Sequence, residues 1–152
     1  MNFLFDTMRQ TRKNILGLVE GMSPEDLNKI PSGFNNNLIW HLGHVLVTQQ
    51  LLTYGRCNLP FLIRDHWVPL YRKGTKPGEF VPLEEIELIQ KGIPLMVDEL
   101  IEDYYGKRFG KAFQPYETSY GLKLNTIEEA IRFNNVHEAM HLGYMMSQRR
   151  SL

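Results

Sequence analysis

A single cysteine, Cys57, occurs in the 152 residues, so the chain has no intramolecular disulfide and no Cys-x-x-Cys redox or metal motif. That usage fits a reducing compartment, and a cytoplasmic protein is expected. Net charge is also lacking. Seventeen basic and seventeen acidic residues give a formal charge of zero, which removes the electrostatic footprint of a protein that binds nucleic acid or an anionic membrane. No long run is purely apolar either. The longest uncharged stretch, residues 30–55, is broken by Asn35, Asn36, Asn37, His41, His44, Gln49 and Gln50, so it reads as a buried helix and not as a membrane span. The first residues carry Asp6 and no apolar core leading to a small-residue cleavage site, so they read as the start of a helix and not as a signal peptide. Strand signal is nearly absent.

What the chain does have is helical spacing and enough apolar residues, 43%, to bury a core without help from a metal. A metal site here would therefore serve function. The sequence reads as a single domain over 1–152. From Asn2 to Met22, Leu4, Met8, Ile15, Leu18 and Met22 form an amphipathic stripe that Gly21 ends. Ser23-Pro24 reads as an N-cap and first helical residue of a short turn through Leu27. A second long helix, beginning among Asn35 to Asn37 and running to about Arg56, has apolar residues most of the way round, as in a bundle interior. Residues 58–82 hold four prolines and two glycines and read as a long crossover with a short helix from Ile63 to Tyr71. A third helix spans Leu83 to Tyr105, where Pro94 should kink or interrupt it. Residues 106–125 read as loop, the stretch Tyr120–Leu124 included. Asn125 or Thr126 then caps the last helix, with Glu128 and Glu129 in its first turn and Arg149 and Arg150 at its far end. The fold class that follows is all-α, a four-helix bundle with long crossover loops.

The last helix contains His137-Glu138-Ala139-Met140-His141. Histidines at i and i+4 project from one face about one turn apart, the separation needed to share an ion. On the helical wheel Ala130, Asn134, Tyr144 and Gln148 share their stripe, a polar row where core is expected. Asn134, Tyr144 and Gln148 are thus placed to touch a bound ligand, with Tyr144 the best proton donor among them. Glu138, the natural general base in a His-Glu-x-x-His motif, lies about 80° off the stripe, which suits a flanking or supporting position or a surface salt bridge. Two histidines do not complete a site. No His, Asp, Glu or Cys follows in residues 142–152, where a zincin metalloprotease would place its third ligand. Upstream, His41 and His44 lie about 60° apart on the second helix. Either could ligate while the other supports it; His44 shares its stripe with Trp40 and Thr48. His66, Trp67 and Tyr71 of the crossover could form a lid.

The segments Ile39-Trp40-His41-Leu42-Gly43-His44 and Phe133 through Gly143, with Tyr116-Glu117-Thr118 and Tyr120-Gly121 before the last helix, resemble the DinB/YfiT-like family. The resemblance runs through nearly the whole chain in helix order and loop placement. It implies an up-up-down-down bundle, often a homodimer, that holds a divalent ion, commonly zinc or nickel. Carried over position by position, the ligands are His44, His137 and His141, and His41 falls at a position the family does not regularly use. It also implies thiol-dependent transfer or isomerisation among characterised relatives, so a low-molecular-weight thiol is a candidate co-substrate. The function expected is a metal-dependent enzyme on a small molecule, of thiol S-transferase or hydrolase type. The alternatives are a non-catalytic metal-binding or dimeric module and, more distantly, a metalloprotease of His-Glu-x-x-His type.

Overall fold

The computed structural model describes residues 1–110 and 112–152. Among these, four long helices dominate: α1 (Asn2–Val19), α3 (Leu38–Leu52), α5 (Leu83–Tyr105) and α6 (Ile127–Arg149). Two short ones, α2 (Pro24–Asn28) and α4 (Trp67–Tyr71), sit in the connections, and β1 (Tyr116–Glu117) pairs antiparallel with β2 (Lys123–Leu124). The segment read as loop before α6 therefore holds a small hairpin. Two strands of two residues each are too short for a hydrophobic alternation to show in the sequence.

Local chemistry sets the helix starts. Ser23 Oγ accepts the amide of Asp26 and Asn37 Oδ1 that of Trp40, while Thr126 Oγ1 accepts that of Glu129; each satisfies a backbone donor that the first turn leaves free. The ends come earlier than the apolar spacing suggests. Helix α1 stops at Val19 and α3 at Leu52, where a short 3-10 turn, Gly55–Cys57, takes over. Pro94 does not interrupt α5. The neighbouring carbonyl of Ile93 accepts Arg12 Nη1 at 2.7 Å, and that of Met96 accepts Gln49 Nε2 at 2.7 Å.

The four long helices form a ring in which α1 and α3 each pack against both α5 and α6. The contacts also fix their directions. Leu4 meets Asn135 and Gly17 meets Arg149, so α1 and α6 run parallel. Arg9 meets Asp98 while Asn2 meets Tyr105, so α5 opposes α1. His41 meets His141 and Asn36 meets Gln148, so α3 opposes α6; Gln49 at Met96 and Tyr54 at Asp103 make it parallel to α5. The order is up-down-down-up, which corrects the up-up-down-down expectation. The physical reason lies in the links. Residues 20–37 with α2 turn the chain back at one end of the bundle, and residues 53–82 make the long return that two consecutive parallel helices require.

The core is mostly apolar, and among the described residues it holds one buried ion pair. Met8, Ile15, Leu42, Leu46, Ile89, Ile93 and Met145 are fully buried, and so are Arg12 and Glu138, whose side chains pair at 2.7 Å. No described helix is long and apolar enough to cross a membrane.

Candidate metal centre

Helix α3 and helix α6 face each other across four imidazoles. His44, on the buried face of α3, places Nε2 3.2 Å from His137 Nε2, and His141 Nε2 lies 3.1 Å from the same atom. All three donor atoms fall within 4.8 Å of one another. Two nitrogens held by one tetrahedral ion at about 2.0–2.1 Å stand roughly 3.3 Å apart, so the spacing suits a shared cation. His44 and His141 are buried and His137 is half-buried.

The outer nitrogens explain which way the rings point. His44 Nδ1 lies 2.6 Å from the carbonyl oxygen of Tyr71. A carbonyl only accepts, so His44 carries its proton on Nδ1 and presents a lone pair on Nε2. His141 Nδ1 lies 2.8 Å from His41 Nδ1, which leaves its Nε2 facing His137. His137 Nδ1 and His41 Nε2 have no partner among the described residues, so His137 is the ring of the three whose outer nitrogen no described group fixes. Thr48 Oγ1 stands 3.2 Å from His44 Nε2, and the Trp40 ring stacks on His44 with centroids 4.5 Å apart and planes 12° apart.

This cluster resists protonation. Burial first, then repulsion from the neighbouring rings, pushes His137 down to about 3 and His141 to about 2. Burial and His44 lower His41 to about 4. His44 also falls, burial outweighing the Tyr71 carbonyl bond that favours its charged form. Neutral imidazole is the form that binds a metal ion. Three neutral donors converge on one point, no carboxylate of the described residues joins them, and that donor set fits a divalent ion.

A cavity of about 280 Å³ opens beside the rings. Trp40, Leu51, Leu52, Phe133 and Met140 make its apolar walls, Thr48 and Thr118 add hydroxyls, and Arg56 and Lys73 bring positive charge. His44, His137 and His141 all line this cavity, so the donor set has an open side.

A family comparison bears on this geometry. The family model described as the DinB superfamily matches residues 7–145. The chain belongs to the DinB superfamily. No curated protein matches it.

This DinB chain brings His44, His137, His141, Trp40, Thr48 and His41 together and leaves other candidates apart. Glu138 does not line the cavity. It points toward α1, where Arg12 Nε and Nη2 hold its carboxylate, and Asn134 Nδ2 of α6 itself donates to it as well, so the general-base assignment is corrected to a buried ion pair. Asn134 serves that pair, and Gln148 Nε2 donates to the carbonyl of Asn36 at 2.7 Å; neither lines the cavity. Tyr144 is exposed, its ring edge-on to Phe34 and 6.0 Å from the His41 ring. It also stands outside the cavity wall. Asn134 and Tyr144 each lie three residues, about 60° round the helix, from the nearer histidine, and Gln148 lies about two turns beyond His141, so all three face other neighbours.

The crossover does not form a lid of aromatic residues. Trp67 and Tyr71 are buried in the core, and exposed His66 pairs with Glu85, which Trp67 Nε1 also reaches. Three contributors escaped sequence reasoning. Arg12 breaks the Met8–Ile15–Val19 stripe, and a cation on an apolar stripe is a signal that could have found it. The Tyr71 backbone carbonyl left no signal. Arg56 stood at the helix end, where it read as part of the helix.

Proposed function

We propose that this DinB chain is a metal-dependent enzyme acting on a small molecule, with His44, His137 and His141 holding one divalent ion, zinc or nickel. The observation that carries the reading is the convergence of three Nε2 atoms from two helices, with the outer nitrogens of two rings committed elsewhere. An ion held there supplies Lewis acidity toward an oxygen or sulfur donor at neutral pH.

The chain's own groups supply the rest. The Tyr71 carbonyl and the Trp40 ring fix His44, so its lone pair needs no reorganisation when a ligand arrives. The apolar walls exclude water from one side of the reacting molecule, and Thr48 places a hydroxyl beside the rings. Transfer of a low-molecular-weight thiol to an electrophile, or hydrolysis, is the chemistry that such a cavity supports.

A homodimer and a cytoplasmic location belong to the same proposal. Val136, Met140 and Tyr144 leave exposed apolar surface along α6 that a second copy would cover.

The test is turnover by zinc- or nickel-loaded protein in two assays, thiol addition to a chromogenic electrophile and hydrolysis of an activated ester. Rates above those of the free metal, lost in His137→Ala, support the enzyme. One bound ion per chain without turnover in either assay contradicts it and leaves the non-catalytic metal-binding module. The metalloprotease has less support: the carboxylate it would need, Glu138, is engaged by Arg12 in the core.

A further inference from the structure

The cavity beside the rings has a one-sided charge. Arg56 and Lys73 line it, and no carboxylate does among the described residues. Arg56 has no salt bridge to a described residue, although acidic side chains pair with Arg9, Arg12, Arg64 and Arg108 elsewhere. Its guanidinium lies over the Tyr116 ring, 4.6 Å from the centroid, and the residue is half-buried. Stacking on an aromatic face holds a guanidinium in place and leaves its in-plane N–H donors free. Its own backbone is pinned as well, because the Arg56 carbonyl accepts the amide of Gln114 at 2.7 Å. A partly desolvated cation, fixed at a cavity wall and with no anion from the described residues, is a site built for an anion from outside.

We propose that the molecule bound in this cavity carries an oxyanion group, a carboxylate or a phosphate, which Arg56 grips while Lys73 adds charge. The proposal rests on the reading of this cavity as the substrate site. Position along the chain separates the two ends of the ligand. His44 and Leu52 lie two turns apart on α3, about 12 Å along the axis, and Arg56 follows in the next turn. The oxyanion therefore sits toward the hairpin end and the reacting atom at the histidines. Between them run the walls of Leu51, Leu52 and Phe133, so the middle of the ligand is apolar. At about 280 Å³ the space suits a small molecule more than a peptide.

Benzoate, phenyl phosphate and neutral benzamide, titrated into the protein by calorimetry, test this directly. Wild type is expected to bind at least one anion about tenfold or more tighter than benzamide. Which anion it prefers separates the carboxylate from the phosphate. Arg56→Met keeps the apolar stem and should bring the ratio of anion to amide affinity close to one, with metal content unchanged; Arg56→Lys should restore part of it. A readout that needs no variant is salt, since about 0.5 M should weaken the anions and spare benzamide. Equal binding of anions and amide, no saturable binding of either anion, or an anion preference that survives Arg56→Met overturns the proposal. Metal content read on the same samples separates the two claims. Anion preference in a protein that takes up no metal keeps the Arg56 assignment and removes the metal reading, whereas one ion per chain without anion preference does the reverse.

Discussion

Gly43 lies directly under the ring of Tyr71: a Cβ at position 43 would come within 2.5 to 2.7 Å of three ring carbons. The absence of a side chain there lets Tyr71 pack against α3, and the same residue offers its carbonyl to His44 Nδ1. Gly43→Ala should therefore act at the metal centre without touching it. Ring contacts that short must be relieved by moving Tyr71, which withdraws the acceptor that orients His44. The expected outcome is a loss of about 10–100-fold in metal affinity, read by competition with a chelating dye, with the helical circular dichroism retained.

The Arg12–Glu138 pair makes a different prediction. Both side chains are buried, and Glu138 also accepts Asn134 Nδ2 at 2.6 Å. Removing one partner strands a charge in the core, so Glu138→Gln and Arg12→Met should each cost about 3–5 kcal/mol in urea unfolding. The double change Arg12→Met with Glu138→Met should recover much of that loss, because an apolar pair has no charge to desolvate. If Glu138 were instead a general base, Glu138→Gln would abolish turnover and leave stability nearly unchanged.

The histidine cluster predicts the acid response. Burial and mutual repulsion hold His41 at about 4, His137 at about 3 and His141 at about 2, below the ordinary value of about 6.5. An unfolded chain thus binds more protons than the folded one once pH drops through about 6.5, and folding stability must fall with it. Metal-free protein should lose stability steadily from about pH 6.5 down past pH 4, and His41→Ala should flatten that slope. A thermal melt series across this range checks the sign; stability that rose on acidification would contradict it.

His41 should behave as a support and not as a ligand. Its Nδ1 lies 2.8 Å from His141 Nδ1, on the side of that ring away from His137. His41→Ala is expected to leave one ion per chain at saturating metal and to weaken its affinity by about 10–100-fold.

Much of this arrangement is legible in the amino-acid sequence. The spacing of Leu4, Met8, Ile15 and Leu18 and the caps at Ser23, Asn37 and Thr126 locate helices, because those signals are local. The i, i+4 pair His137 and His141 is visible for the same reason. Chain direction is not. Whether residues 20–37 reverse the chain or carry it along the bundle depends on where α2 packs, and the bond from Asn28 to Val81 joins residues 53 apart. The true surroundings of Glu138 are hidden likewise. Its 80° displacement from the histidine stripe is readable, but the cation that meets it comes from α1, 126 residues earlier. Tyr71 stands out in the sequence for its ring, while its contribution to the site is a backbone carbonyl, which no residue type encodes.

The central claim is that two helices share one ion, and metal content by elemental analysis of protein purified without an affinity tag tests it most directly. Wild type should carry about one divalent ion per chain, as isolated or after incubation with zinc or nickel. His44→Ala and His137→Ala should both lose it while keeping their helical content. No ion in wild type after reconstitution, or an ion that survives both substitutions, would contradict the account.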